Sequence, residues 1–121
     1  MKESLRVIYK EELIFTSEKK WLYPLIDLEE YLEKNPEINR EELDIKDKII
    51  GRAAAFLLVK LGVKKVDTEV ISELGKDIFD KFNIEYTYDK LIDKINCKTE
   101  NILKDVESVE KAYDIIIGRA K

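Results

Sequence analysis

The residues best suited to chemistry lie in one stretch of the chain, DIKDKIIGRAAAFLLVKLGVKKVDTEVISE, from Asp44 to Glu73. Its pattern predicts the end of a strand, a buried helix, a turn, a second strand and the start of another helix. A helix N-terminus offers free N–H groups and partial positive charge, which favour an anion or a polar ligand. The candidate ligand-binding residues, at or just before the two predicted helix starts, are Asp47, Lys48, Gly51, Arg52, Thr68, Ser72 and Glu73.

A structural interpretation of the same residues stays open beside the functional one. Asp47 and Ser72 are good N-cap residues, and Lys48 and Arg52 could simply be solvated side chains. Thr68 lies within a predicted strand, which favours a structural role for it. Both interpretations depend on whether these side chains meet around one concavity.

The composition argues against most enzyme classes. The chain has no His, so a Ser-His or Cys-His nucleophile is impossible, and it has no glycine-rich phosphate loop or dinucleotide fingerprint. Its one Cys, Cys97, has no partner for an intramolecular disulfide. We therefore predict no catalytic residue, no metal ligand and no cofactor, and we expect a non-enzymatic protein, although an activity of another kind is left open.

The bulk properties predict one domain, residues 1–121, since 121 residues fit one hydrophobic core. Charged residues of both signs make up 40% of the chain and the net charge is -4, which argues against nucleic-acid binding. No apolar run approaches the roughly 20 residues of a membrane span, and the charged N-terminal stretch does not resemble a signal peptide. We expect a cytoplasmic protein, with a homo-oligomer left open.

Hydrophobic periodicity predicts the elements that must position the candidate residues. Two β-rich runs, 5–9 and 13–16, suggest a hairpin, and an apolar stripe after Pro24 predicts a helix that ends at Asn35. The central helix is expected from Asp47 to Leu61, apolar on nearly its whole circumference and therefore buried on several sides. The remaining predictions are a short strand at 43–45, a strand at 63–71, a helix at 73–82, a strand at 84–88, a short helix at 89–95, the polar loop NCKTEN, and a last helix at 107–118.

The order β-β-α-β-α-β-α-β, with helical segments at the C-terminus, predicts an α/β fold. Strand–helix–strand units with short links make right-handed crossovers between parallel strands. The last three strands should therefore be parallel, with the opening hairpin as an antiparallel partner. We expect a three-layer sandwich built on a five-stranded mixed sheet.

This order and three motifs resemble a small family of unknown function with a cytidine deaminase-like fold. The motifs are the helix pattern DKxxGxAAAxLL, present here from Asp47 to Leu58, the strand end Val70-Ile71-Ser72, and Pro24-Leu25 after the opening hairpin. The resemblance covers nearly the whole chain, and it implies the cytidine deaminase-like topology.

The same resemblance bears on function, because deaminases of this fold hold zinc with His and Cys residues at two helix starts. The corresponding places here hold Asp-Lys-Ile-Ile-Gly, 47–51, and Ile-Ser-Glu-Leu-Gly, 71–75, with neither His nor Cys. The resemblance therefore implies a zinc-less, non-catalytic domain that binds a small anionic or nucleotide-like ligand or acts as a regulator. The alternatives are a structural or assembly module without a ligand, or an enzyme of unrecorded activity.

Overall fold

The computed structural model describes all 121 residues of the chain as five strands and five α-helices. The strands are β1 Leu5–Tyr9, β2 Glu12–Ser17, β3 Leu43–Ile50, β4 Lys65–Ser72 and β5 Glu85–Ile92. The helices are α1 Tyr23–Lys34, α2 Arg52–Leu61, α3 Glu73–Lys81, α4 Lys98–Leu103 and α5 Val109–Ala120, and a short 3-10 turn spans Arg40–Glu42. The predicted order of the first eight elements is confirmed.

The five strands form one mixed sheet in the order β2-β1-β3-β4-β5. β1 pairs antiparallel with both β2 and β3, whereas β3, β4 and β5 are parallel to one another. This confirms the five-stranded mixed sheet, the parallel set of the last three strands and the antiparallel hairpin. The hairpin turns at Lys10 and Glu11, whose φ angles of 50° and 68° give the twist that two-residue hairpin turns require, without the usual Asn-Gly.

The helices pack around α2, which contacts α1, α3, α4 and α5. Eight of the ten α2 residues are buried, as its apolar circumference predicts, and Gly62 ends the helix in the left-handed conformation. The layers are the sheet, then α1, α2 and α3, then α5 outside α2. The opposite face of the sheet is polar, with Arg6, Lys46, Asp67 and Thr87 in register across four strands.

The predicted start of the central helix at Asp47 is wrong, and so is Asp47 as its N-cap. β3 continues to Ile50, and Asp47 is paired in the sheet with Leu5 of β1 and Thr68 of β4. Pairing on both sides outweighs the capping tendency of one Asp, because it satisfies the backbone groups of the whole segment. Gly51 is therefore the N-cap of α2 rather than a residue inside it.

Two further element predictions are corrected near the C-terminus. The helix expected at 89–95 is wrong, because β5 extends to Ile92 in parallel pairing with β4. The last four residues of the predicted polar loop NCKTEN, 98–101, belong to α4, Lys98–Leu103, instead of irregular structure. Both errors arise because these segments are short and polar, so their conformation is set by neighbouring elements rather than by their own periodicity.

Candidate ligand-binding pocket

A pocket of about 410 Å³ opens beside the carboxyl end of β3 and the first turn of α2. That volume lies within the range of ordinary small-molecule sites. Four parts of the chain enclose it: the N-terminal residues, the β2–α1 loop with the start of α1, the β3–α2 junction, and the segment from Ile95 to Glu100. Its lining includes Ser4, Trp21, Leu22, Pro24, Leu25, Asp47, Ile49, Gly51, Ala53, Ala54, Ile95, Cys97, Thr99 and Glu100.

The unpaired exposed charges at the mouth of the pocket are mostly basic although the protein is acidic, since Lys2, Lys20 and Lys48 stand there against Glu18 alone. Four lysines line it, Lys2, Lys19, Lys20 and Lys48, against three acidic residues, Glu18, Asp47 and Glu100. Lys19 is paired with Asp27 at 2.7 Å, and the other three lysines are exposed. The mouth therefore offers positive charge that can meet an anionic group in solution.

Asp47 is an ionisable group of the lining that lies away from the exposed rim and has no side-chain partner. The buried Glu100 carboxylate, by contrast, has both oxygens occupied by backbone N–H groups. Its side chain is half-buried, and burial raises the pKa of its carboxyl from 3.8 to about 7. The backbone N–H groups of Lys48 and Ile49 oppose this by favouring the ionised form, which lowers the pKa in part. A poorly solvated carboxylate without a side-chain partner is a binding group for a ligand that brings hydrogen-bond donors.

Trp21 is fixed at the mouth in an unusual backbone conformation. Its φ is 58°, in the left-handed region that a bulky residue rarely adopts. Its indole Nε1–H donates to Thr99 Oγ1 at 3.4 Å, and its ring packs edge-on against Tyr23 at 5.2 Å between centroids. These contacts hold the indole ring, which is 37% exposed, as part of the pocket lining. Strain of this kind is common at binding sites.

Glu100 is buried at the start of α2 and acts as its cap from another part of the chain. Its Oε1 accepts from the Arg52 backbone N–H at 2.6 Å, and its Oε2 accepts from the Ile95 backbone N–H at 2.7 Å. The carboxylate therefore occupies the place where an external anion would meet this helix N-terminus. Gly51 leaves room for it, because a Cβ there would lie 2.8 Å from Glu100 Oε1.

Arg52 is neither solvated nor in the pocket lining. Its side chain is 3% exposed and its Nε donates to the Leu103 carbonyl at 2.7 Å. The other guanidinium nitrogens donate to the Val106 carbonyl at 2.6 Å and the Leu74 carbonyl at 3.2 Å. Arg52 thus ties α2 to the α4–α5 connection and to α3, and its donors are already used.

The other sequence-predicted residues divide into two groups. Asp47, Lys48 and Gly51 lie together in the lining of the pocket, whereas Thr68, Ser72 and Glu73 lie outside it. Thr68 is buried and donates to the Val70 carbonyl at 3.0 Å, and the Ser72 hydroxyl accepts from the Gly75 N–H at 3.1 Å as the N-cap of α3. The capping role predicted for Ser72 is confirmed.

The two helix starts do lie together, as the strand order predicts. A Cβ on Gly75 of α3 would lie 2.9 Å from the Gly51 carbonyl oxygen, so the first turn of α3 packs directly against the start of α2. This close packing leaves no concavity between them. The pocket instead opens on the other side of α2, toward the β2–α1 loop.

Sequence reasoning missed Trp21, Glu100 and the 95–100 wall of the pocket. Trp21 lies in a charged loop, and nothing in the polar segment NCKTEN distinguishes a buried Glu from a solvated one. The only available signal was the chain's single Trp, since an aromatic side chain in a polar loop is a candidate contact residue. No group of three or more His, Cys, Asp or Glu side chains is placed to hold a metal ion, and no helix is long and apolar enough to cross a membrane.

Comparison with known proteins places this architecture in a family. A search of curated proteins finds no match. A solved structure of a DUF1893 family protein, TM1506 from Thermotoga maritima, superposes with a TM-score of 0.85 at 24% sequence identity, over 97% of this chain and 80% of that one. That likeness shows a shared fold. The family model described as TM1506, domain of unknown function DUF1893, matches residues 1–118, so the chain belongs to the DUF1893 family.

Proposed function

We propose that this protein is a non-catalytic small-molecule-binding or regulatory protein whose ligand is nucleotide-like. A planar group would occupy the apolar part of the pocket, between Trp21 and the first turn of α2, and an anionic group would face the lysines of the mouth. The observation that carries the proposal is the combination in one pocket of an apolar interior, an Asp47 carboxylate without a side-chain partner, and the exposed Lys2, Lys20 and Lys48.

The anionic end of the ligand would be held by lysine side chains rather than by helix N-termini. Glu100 already accepts from the first N–H of α2, and Ser72 already caps α3. The starts of α2 and α3 therefore already carry polar partners, whereas the lysines of the mouth are exposed. Binding of this kind should weaken as salt concentration rises, because exposed charges are screened.

We further propose a cytidine deaminase-like origin, which would account for the location of the site. Strand order, the β3–α2 junction and the helix pattern 47–58 fit that fold, in which the pocket lies at the ends of the parallel strands. The β3–α2 junction carries Gly51-Arg52 and the β4–α3 junction carries Ser72-Glu73, with neither His nor Cys to hold zinc. We therefore favour a binding protein over a zinc-dependent deaminase. A cytoplasmic location fits the free Cys97 thiol.

A thermal-shift screen of nucleosides, nucleotides and phosphate-bearing metabolites tests the proposal. A ligand at 100 times its dissociation constant should stabilise the protein by about 2.7 kcal/mol. Lys48→Ala should reduce the shift, whereas Lys90→Ala, which removes an exposed lysine of β5 outside the pocket, should leave it unchanged. The proposal fails if no compound shifts the wild-type protein, or if both variants respond like the wild type.

An assembly module is the second candidate, and the exposed edge of β5 favours it. β5 is the last strand of the sheet, and its Tyr88 and Leu91 are 40% and 37% exposed. A free edge strand can pair with a second copy of the chain. Sedimentation velocity across a concentration series distinguishes the two candidates: a stable oligomer that Leu91→Lys dissociates, with no ligand response, would support assembly.

A further inference from the structure

Asp47 lacks a side-chain hydrogen-bond partner, and this indicates the chemical class of the ligand's buried end. In an apolar pocket, an ionised carboxylate has lost part of its hydration, and no side chain of the protein replaces it. An ionised carboxylate is an acceptor through both oxygens, so its best partner presents two N–H donors side by side. Guanidinium groups and the edge of a guanine ring have that arrangement.

We infer that Asp47 recognises a planar group with two adjacent N–H donors, of the guanidine or guanine type, while the ligand's anionic end contacts the lysines of the mouth. The inference rests on the proposed function and specifies which ligand that site takes. An adenine-type edge, with one donor and one acceptor, would leave one Asp47 oxygen facing a ring nitrogen lone pair. The site should therefore discriminate between these edges.

Trp21 supports the planar shape of the buried group. Its indole is held by the Thr99 hydroxyl and by Tyr23, so a flat aromatic surface is preformed in the lining. Flat guanidinium and purine groups stack on such a surface at little entropic cost. Leu22, Pro24 and Ala54 supply the remaining apolar contacts.

The ionisation of Asp47 couples binding to pH. Two N–H donors stabilise the carboxylate form, so affinity should rise as pH rises through the pKa of Asp47, near 7. The other titratable and charged groups that line the pocket with Asp47 are Lys2, Glu18, Lys19, Lys20, Lys48, Cys97 and Glu100.

Calorimetric titration with two probes distinguishes two kinds of ligand that present paired N–H donors. Guanosine monophosphate tests a nucleotide source, and guanidinobutyrate tests a small guanidino acid. At least one should bind about tenfold or more tightly than adenosine monophosphate, and more tightly at pH 8 than at pH 6. Asp47→Asn, which replaces two acceptors by one donor and one acceptor, should weaken that ligand about tenfold or more. It should remove the pH dependence of guanidinobutyrate binding, and for guanosine monophosphate it should leave only the part that adenosine monophosphate shares, because both phosphates ionise at about pH 6.

The matched control is Asp89→Asn, an exposed Asp of β5, which should change nothing. Thermal melts of both variants establish that they are folded. The inference is overturned, while the proposed binding function stands, if neither probe binds more tightly than adenosine monophosphate, or if Asp47→Asn leaves the preference intact. If the screen finds ligands but neither probe binds, the inference is also wrong. Absence of any ligand would overturn both.

Discussion

Glu100 and Arg52 form a reciprocal clamp between α4 and α2. The Glu100 carboxylate accepts the Arg52 backbone N–H at 2.6 Å, while the Arg52 side chain donates to the carbonyl of Leu103, three residues beyond Glu100, at 2.7 Å. Each residue satisfies a buried polar group of the other's helix. The clamp holds the 95–100 segment in place as one wall of the pocket.

Glu100→Ala should therefore be strongly destabilising for a change at a single polar residue. It leaves the Arg52 and Ile95 N–H groups without an acceptor, and each buried unpaired donor costs about 1–3 kcal/mol. Urea denaturation should show a loss of about 2–4 kcal/mol. Glu37→Ala, at an exposed position, should change the free energy of unfolding by less than about 0.5 kcal/mol. Equal stability of the two variants would refute the clamp.

Gly51→Ala and Gly118→Ala should have opposite effects. A Cβ at Gly51 would lie 2.7 Å from Ile95 Cδ1 and 2.8 Å from Glu100 Oε1, so the wall of the pocket must shift. Overpacking of this kind costs typically about 1–3 kcal/mol. Gly118 lies in α5 with nothing within 4 Å of its Cβ position, so Ala there should stabilise the helix by up to about 1 kcal/mol. Thermal melts of the pair provide the comparison, and a stabilised Gly51→Ala would contradict the packing.

Leu58→Ala should show how far the fold depends on α2. Leu58 is fully buried in the centre of the helix that contacts all four others, so its truncation should cost about 2–5 kcal/mol. Ile102→Ala serves as the control, since Ile102 is 40% exposed on α4. Similar denaturation midpoints for the two variants would show that α2 is not the centre of the core.

The pH dependence of stability should carry a contribution from Asp47. The pKa of its carboxyl is about 7 in the folded protein against 3.8 ordinarily, so folding favours the protonated form. The free energy of unfolding should therefore fall as pH rises from about 4 to about 7, by no more than about 4 kcal/mol, and by less because the side chain is only half-buried. Asp47→Asn should gain stability relative to wild type between pH 5 and pH 8. A constant difference between the two proteins would show that Asp47 titrates normally.

The sequence predicts the fold well because long apolar segments decide it. The apolar circumference of α2 and the β-rich runs at 63–71 and 84–88 specify a central helix between parallel strands, and the structure has that arrangement. Short polar segments fail for the opposite reason. Asp47 joins a strand because β1 and β4 pair with it on both sides. This pairing is a long-range effect, so the local capping propensity of Asp does not predict it.

The site was predictable only in part. Asp47, Lys48 and Gly51 lie in the lining because the strand–helix junction is topologically favoured for a pocket. Arg52 looked like a solvated cation, and only the three-dimensional arrangement shows its donors directed at the carbonyls of Leu103, Val106 and Leu74. Glu100 lies 48 residues from Arg52 in sequence, and Trp21 lies 78 residues from Thr99. No local sequence pattern predicts contacts over such separations.

Trp21 offers the most direct measurement of ligand binding in the pocket, because it is the only Trp of the chain and lies in the pocket lining. Its fluorescence should change saturably on titration with the compound that gives the largest thermal shift. The dissociation constant from this titration should agree with the calorimetric one and weaken in Lys48→Ala but not in Lys90→Ala. A compound that stabilises the protein without changing Trp21 emission, at concentrations that saturate binding, would show that the ligand occupies another site and would contradict the account.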